Sequence, residues 1–253
     1  MKIVILGGHG EFVNIVYNHI SAKYEIEKVI LEHGVGASTL LKRRCKKLGV
    51  IKVIGQLLFK LYSEIVLKPT SSKRIHEILF ENTINQSAVP QDKVIELNSV
   101  NSNECIELLK TISPDLIFVM GTQIISERVL LSVDSTFINM HMGITPLYRG
   151  VHGGYWALAE NDPEHCGVTV HLVDKGIDTG GVISQAKIYP TAKDTFLTYP
   201  YLQLVEGIKL FLDVIDRFEK ENLFVQKTNL PSKIWTHPTL GQYFKKYLQH
   251  GIK

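Results

Sequence analysis

The chain has 253 residues, 45% of them hydrophobic and 21% charged, which is enough apolar content to bury one large core. A formal charge of +3 is too small to make nucleic acid the expected main partner. Three cysteines, Cys45, Cys105 and Cys166, are odd in number and far apart, which argues against a disulfide framework and for reduced thiols in the cytoplasm.

The chain opens on Ile3-Val4-Ile5-Leu6, an apolar run too short for a signal peptide and read as a buried first strand. Gly7-Gly8-His9-Gly10 follows, and Phe12, Ile15, Val16 and Ile20 then recur at helical spacing. Strand, glycine turn and helix open a nucleotide-binding α/β unit, whose amides could hold an anion. The full dinucleotide fingerprint is missing, so a plain strand–helix turn stands as the equal alternative. Lys28–Leu31 reads as a second strand. Residues 39–67 are helical in pattern and carry the basic run Lys42–Lys47. Lys52, Gln56, Lys60 and Glu64 interrupt its apolar part, so no membrane span is expected. The reading is two helices on the domain edge with a solvated basic face. A subunit interface or a cationic lip for an anionic substrate is the functional alternative. Pro69-Thr70-Ser71-Ser72 is read as a break before another helix over 74–85.

Strand pattern returns at Val94–Leu97, and Cys105, Leu108, Leu109 and Ile112 mark a helix. Leu116–Met120 is a continuous apolar run typical of a buried parallel strand. It ends in the loop Gly121–Ile125, at a strand's carboxyl end, where α/β folds place ligands. Phe137–Met140 is strand-like, and period two puts Asn139 and His141 on one side of its end. Val168–Val173 is a further strand, with Thr169 and His171 sharing a face expected to line a pocket. It runs into a glycine-flanked loop carrying Asp178. An amide, an imidazole and a carboxylate could thus converge on one centre. Residues 181–189 form another strand, and Leu204, Ile208, Phe211, Ile215 and Phe218 give an amphipathic helix. The aromatic tail with Trp235 and Tyr243 is read as packing. His141, His152, His165 and His171 are spread too widely for a metal cluster, and no metal is expected.

Asn139-Met140-His141, Pro146, Arg149-Gly150 and Ile177-Asp178-Thr179-Gly180, taken as a spaced set, resemble the catalytic core of the folate-dependent formyltransferases. Two departures fall where the loop meets substrate: Gly143, where the family often has Ser, and Thr145, where a Leu usually precedes the Pro. The resemblance implies an α/β fold with a Rossmann-like, mostly parallel sheet and helices on both faces. It also implies a catalytic domain over 1–200 with an insertion at about 38–90, and a C-terminal helical extension over 201–253. It implies an N-formyltransferase that moves a formyl group from 10-formyltetrahydrofolate to a primary amine. Asn139 would donate to the oxyanion. His141 would act as base or charged donor, and Asp178 would hold the imidazole or relay a proton. The folate would lie between Gly121, Thr122, Gln123, Ile124 and Ile125 on one side and Asp174, Lys175, Gly176 and Ile177 on the other.

Gly8, His9, Gly10, Arg149, Gly150 and His171 are assigned to the acceptor. The leading acceptor is a small anionic amine, a nucleotide-linked amino sugar. A glycinamide ribonucleotide formyltransferase-like enzyme and a formyltetrahydrofolate hydrolase are the alternatives within the family. A tail that begins with a helix argues against the methionyl-tRNA enzymes, which carry a C-terminal β-barrel. Outside the enzyme class stands a folate- or nucleotide-binding module. A dinucleotide oxidoreductase using Glu32 is weaker. The expected partner is a small molecule, with no nucleic acid and no membrane, and a homodimer is the candidate assembly.

Overall fold

A computed structural model of the chain describes residues 1–226, 228 and 230–253. The opening apolar run forms β1 (Ile3–Gly8), with Ile3, Val4, Ile5 and Leu6 wholly buried. Ile3 and Ile5 belong to the core on one face of the sheet, Val4 and Leu6 to the core on the other. That alternation requires cover on both sides, and each such side chain contributes about 1.5–3 kcal/mol by leaving water. After β1 come α1 (Glu11–Ser21), β2 (Ile26–Glu32), α2 (Ala37–Leu48), α3 (Val50–Tyr62), α4 (Lys68–Glu81) and β3 (Val94–Leu97). Next are α5 (Asn103–Ile112), β4 (Leu116–Met120), α6 (Glu127–Leu130), β5 (Thr136–His141) and the short β6 (Arg149–Gly150). The chain finishes with α7 (Gly153–Ala159), β7 (Gly167–Leu172), β8 (Val182–Lys187), α8 (Tyr199–Glu219), β9 (Ile234–Trp235) and α9 (Leu240–His250).

The main sheet runs β3-β2-β1-β4-β5-β7-β8. Its first five strands are parallel, and β7 and β8 are each antiparallel to their predecessor in the sheet. The fold is therefore α/β, Rossmann-like and mostly parallel, as expected. Residues of α1 and α8 bury one face, and residues of α5 and α6 the other. A third, aromatic-rich cluster joins Phe59 of α3, Trp156 of α7 and Tyr243 of α9. It accounts for the tail's aromatics as packing: Trp235 stacks on Trp156 at 4.7 Å.

Two expectations are corrected. The break at Pro69 does not occur. The helix passes from α3 through a π-helical segment, Ser63–Leu67, straight into α4, with Pro69 in the first turn. The wider π turn shifts the bonding register, and Pro is tolerated in a first turn. The Thr70 hydroxyl donates to the Val66 and Leu67 carbonyls at 2.9 and 3.0 Å, satisfying groups beside the proline. The boundary at residue 200 also fails as a physical division. It cuts α8, whose Leu204, Ile208, Phe211 and Ile215 pack in the same core as Ile5 and Phe118.

Candidate active site

The antiparallel register of β5 and β7 sets Asn139 opposite His171 and His141 opposite Thr169. Cross-strand neighbours of this kind are close enough to bond. Nδ1 of His171 lies 2.6 Å from the Leu172 carbonyl, so it carries the proton and donates. Nε2 of His171 is then the acceptor for the Asn139 amide, at 3.1 Å. Among the described residues, one hydrogen of that amide is used and the other has no partner. Burial holds His171 below the usual histidine range, and His141 nearby adds in the same direction.

His141 is buried. Its Nε2 donates to the Tyr148 carbonyl at 2.6 Å, and its Nδ1 faces Asp178 Oδ2 at 3.4 Å. The same Oδ2 accepts from the Gly150 N–H at 2.8 Å, while Oδ1 is 3.8 Å from His171 Nε2. Asp178 adopts φ +49, a left-handed conformation that is uncommon outside glycine. Backbone and side chain are thus held together to aim one carboxylate between two imidazoles.

Thr169, expected to line the pocket, does something else. It is wholly buried, donates to the Gly143 carbonyl at 2.7 Å and accepts from Thr145 N–H at 3.1 Å, fixing the turn after His141. Gly143 is required in that turn. A Cβ there would stand 2.5 Å from the Tyr148 carbonyl and 2.9 Å from His141 Nε2.

Asn139, His141, His171 and Asp178 line a cleft of about 500 Å³. Gly121–Ile125 forms one wall, and Asp174, Gly176, Ile177 and Asp178 another. Lys175 points away and lies 3.9 Å from Glu127. The loop 121–125 is held by Glu32, which is 3% exposed and accepts from Gln123 N–H, from the Gln123 side chain at 3.2 Å and from Val100 N–H at 3.1 Å. Those contacts explain Glu32 without a dinucleotide. Asn101 holds the same loop by donating to the Ile124 carbonyl at 3.0 Å.

Gly150 and His171 reach the cleft, but Gly8, His9, Gly10 and Arg149 are not among its lining residues. Arg149 spends its fork inside the protein, Nε donating to the Ile177 carbonyl at 2.7 Å and Nη1 to Ser232 at 2.6 Å. The Gly8–Gly10 turn adjoins the cleft loop, since a Cβ at Gly8 would meet the Gly121 carbonyl at 2.6 Å. His9 is exposed, 3.0 Å from Glu96 and stacked on His33. Among the described residues these three are the one cluster able to offer three metal ligands, and they lie outside the cleft.

The far wall was not legible beforehand: His152, Tyr155, Phe196, Tyr199 and Gln203. Among the described residues the buried Tyr155 hydroxyl has no protein partner, which marks it as a group a ligand could satisfy. His152 Nε2 is 2.9 Å from His237 Nδ1. Burial, with His237 beside it, drops His152 to about 3. Burial, with Arg44 and Lys60 adding, lowers His237 to about 4. The pair is neutral near pH 7.

Residues 62–214 match the family model described as "Formyl transferase". A methionyl-tRNA formyltransferase of Finegoldia magna is 32% identical over 128 residues, which is 50% of this chain and 41% of that protein. The chain thus spans less than half the length of this curated relative. A sugar N-formyltransferase from Shewanella sp. superposes with a TM-score of 0.58 at 15% identity, covering 93% of this chain and 76% of that one. An N-formyltransferase from Helicobacter canadensis, solved with folinic acid and dTDP-3-aminofucose, gives 0.54 at 18% identity, covering 93% and 71%. At those identities the two superpositions speak to the fold alone.

Proposed function

The chain belongs to the formyl transferase family, and from that premise we propose that it moves a formyl group from 10-formyltetrahydrofolate to the primary amine of a small anionic acceptor, a nucleotide-linked amino sugar. The observation that carries this reading is the convergence of Asn139, His141 and Asp178 in the cleft. Val119, Ile125, Met140 and Val173 line it with apolar surface, and two loops add backbone edges. That mixture suits a flat heterocycle with a polar rim. The Helicobacter canadensis neighbour, of the same fold, was solved with the pairing of ligands proposed here, a folate and an amino-sugar nucleotide.

When bound, 10-formyltetrahydrofolate supplies the activated formyl group. Attack by an amine puts negative charge on the formyl oxygen and leaves a proton to be removed. The unused amide hydrogen of Asn139 is suited to donate to that oxygen. Both nitrogens of His141 are engaged, one by Tyr148 and one facing Asp178. In this reading Asp178 therefore takes the amine proton and would return it to the folate nitrogen as the formyl C–N bond breaks, and His141 holds the carboxylate in place. His171, fixed as an acceptor, keeps the Asn139 amide pointed. The acceptor's anionic end is assigned to the Gly8–Gly10 turn beside Gly121. Arg149 acts as a positioning residue for the Asp178 loop, not as an acceptor fork. The free Cys45, Cys105 and Cys166 support a reaction in a reducing compartment such as the cytoplasm.

The test is a formyl-transfer screen with 10-formyltetrahydrofolate and a panel of amino-sugar nucleotides, free amino sugars, glycinamide ribonucleotide and methionyl-tRNA. Tetrahydrofolate release that depends on an amino-sugar nucleotide is the expected result. Release with another amine alone moves the acceptor class, release with water alone indicates a hydrolase, and tight folate binding without release removes the enzyme reading.

A further inference from the structure

Between His33 and Ser63 the chain carries seven cations, Lys42, Arg43, Arg44, Lys46, Lys47, Lys52 and Lys60, and no aspartate or glutamate. This stretch is the α2–α3 hairpin. Among the described residues α2 buries no side chain at all, although it is only 12 residues long. A helix of that length without a packed face is marginal in water. On α3, Val53, Gln56 and Phe59 face the protein, and the other side is bare. Ile51, which is 88% exposed, is followed by Ile54, Leu58, Leu61 and Ile65 at steps of three and four residues. They form one continuous apolar stripe in solvent. Leu40 and Leu41 on α2 are exposed as well.

An apolar stripe of this length needs an occupant. A second copy of the same face fits poorly. Two-fold pairing sets a surface against itself, so the exposed Lys42, Arg43, Lys46, Lys47 and Lys60 would meet their own copies, with Glu64 at the far end of the stripe as the one carboxylate beside it among the described residues. An anionic, partly apolar surface satisfies both features at once. We propose that the α2–α3 hairpin seats on the face of an anionic phospholipid bilayer. The Ile51–Ile65 stripe enters the acyl boundary, and the lysines and arginines meet the headgroups. The helices lie in the plane of the membrane, in keeping with the fact that among the described residues no helix is long and apolar enough to cross one. The expectation of no membrane partner considered only a span, which the lysines do exclude. The hairpin's inner face also connects to the site: Phe59 packs edge-on against Phe196, 4.8 Å between centroids, and Phe196 lines the cleft. A docked hairpin therefore lies one aromatic layer from the reaction cleft. The proposal does not depend on the chemistry proposed above.

The test is flotation of the full chain with vesicles of phosphatidylcholine alone and of phosphatidylcholine mixed with phosphatidylglycerol. Two variants accompany it: Ile51→Asp with Leu58→Asp, and Lys42→Glu with Arg43→Glu, Lys46→Glu and Lys47→Glu. All six side chains are exposed, and circular dichroism and thermal melts check that each variant folds. Binding to the anionic vesicles is expected, with neutral vesicles and both variants weaker by about tenfold or more, since each cation near such a surface is worth roughly fivefold. Absence of binding to anionic vesicles, equal binding to both compositions, or full binding by the charge-reversed variant overturns the proposal. A dimer in sedimentation velocity that ignores vesicles and is dissolved by Ile51→Asp with Leu58→Asp also overturns it, and assigns the stripe to a second copy. Should the apolar variant fail to fold, the charge-reversed variant and the lipid comparison decide.

Discussion

Gly143→Ala probes how the turn behind His141 is built. A methyl group there would stand 2.5 Å from the Tyr148 carbonyl oxygen, 2.9 Å from His141 Nε2 and 3.0 Å from Gly153 Cα. Ordinary contact begins at 3.4 Å, so the carbonyl must retreat by roughly 0.9 Å (3.4 − 2.5). Two of the three obstacles are backbone, and none is the free end of a flexible chain. Overpacking of this kind costs about 1–3 kcal/mol. In a protein of this size that lowers the melting temperature by roughly 2–4 °C per kcal/mol. The carbonyl that must move is the one holding His141 Nε2 at 2.6 Å. Misplacement of a catalytic constellation by about 1 Å can cost on the order of a hundredfold in rate. The variant should therefore lose stability and turnover together. Thermal unfolding and single-turnover formyl transfer with the amine found by screening would measure both. Gly36→Ala is the control: it has ordinary φ −53 and nothing within 4 Å of its built Cβ, so both quantities should hold. If Gly143→Ala melts and turns over like the parent chain, the turn can relax without disturbing His141, and the argument for a required glycine is wrong.

Asp178→Asn keeps an oxygen for the Gly150 N–H but removes the charge facing His141; turnover should fall by about a hundredfold or more with an unchanged melting temperature, read by rapid quench. Arg149→Lys cannot reproduce bonds to both Ile177 and Ser232, so turnover should fall while the salt dependence of the acceptor's KM stays as it was, in steady-state kinetics at two ionic strengths. Glu32→Ala leaves the buried N–H groups of Gln123 and Val100 without their acceptor, at about 1–3 kcal/mol, and should weaken folinic acid binding in a fluorescence titration. Acid should destabilise the fold through His152. Its folded value of about 3 lies below the unfolded 6.5, so the unfolded chain binds more protons in that window, and stability is full above 6.5 and falls as pH drops. Urea midpoints should decline from about pH 7 to about pH 5, and His152→Asn should flatten the decline.

The strands were legible because apolar runs such as Leu116–Met120 are buried on both faces and end at glycine. The Asn139, His141 and Asp178 set was legible because its spacing survives in sequence. His171 was named, but its part as the fixed acceptor for Asn139 needed the β5–β7 register. Arg149 was read as an acceptor contact because a guanidinium beside a cleft loop looks the same whether it holds a ligand or the loop. Glu32 was read as a weak sign of a dinucleotide oxidoreductase, and its real partners are the amides of Gln123 and Val100, far off in sequence. Pro69 was read as a break because the rule concerns α-helical bonding, and a π segment precedes it here. The far wall gave no signal at all. His152, Phe196 and Gln203 come from separate segments, and only the packing of α7 and α8 brings them together.

The ladder between β5 and β7 acts as a ruler for the site. Asn139 and His171 meet because one residue of β5 stands directly across from one residue of β7. Side chains alternate between faces, so adding or removing a single residue within either strand ahead of its group would turn that group to the other side of the sheet, away from its partner. Length changes in surface loops away from the Gly143 turn and the Asp178 loop carry no such consequence. A lineage of such enzymes can therefore trade acceptors by reshaping loops while the paired strands stay locked in count, and a graft of a foreign acceptor loop should be tolerated where a one-residue insertion at Met140 would not.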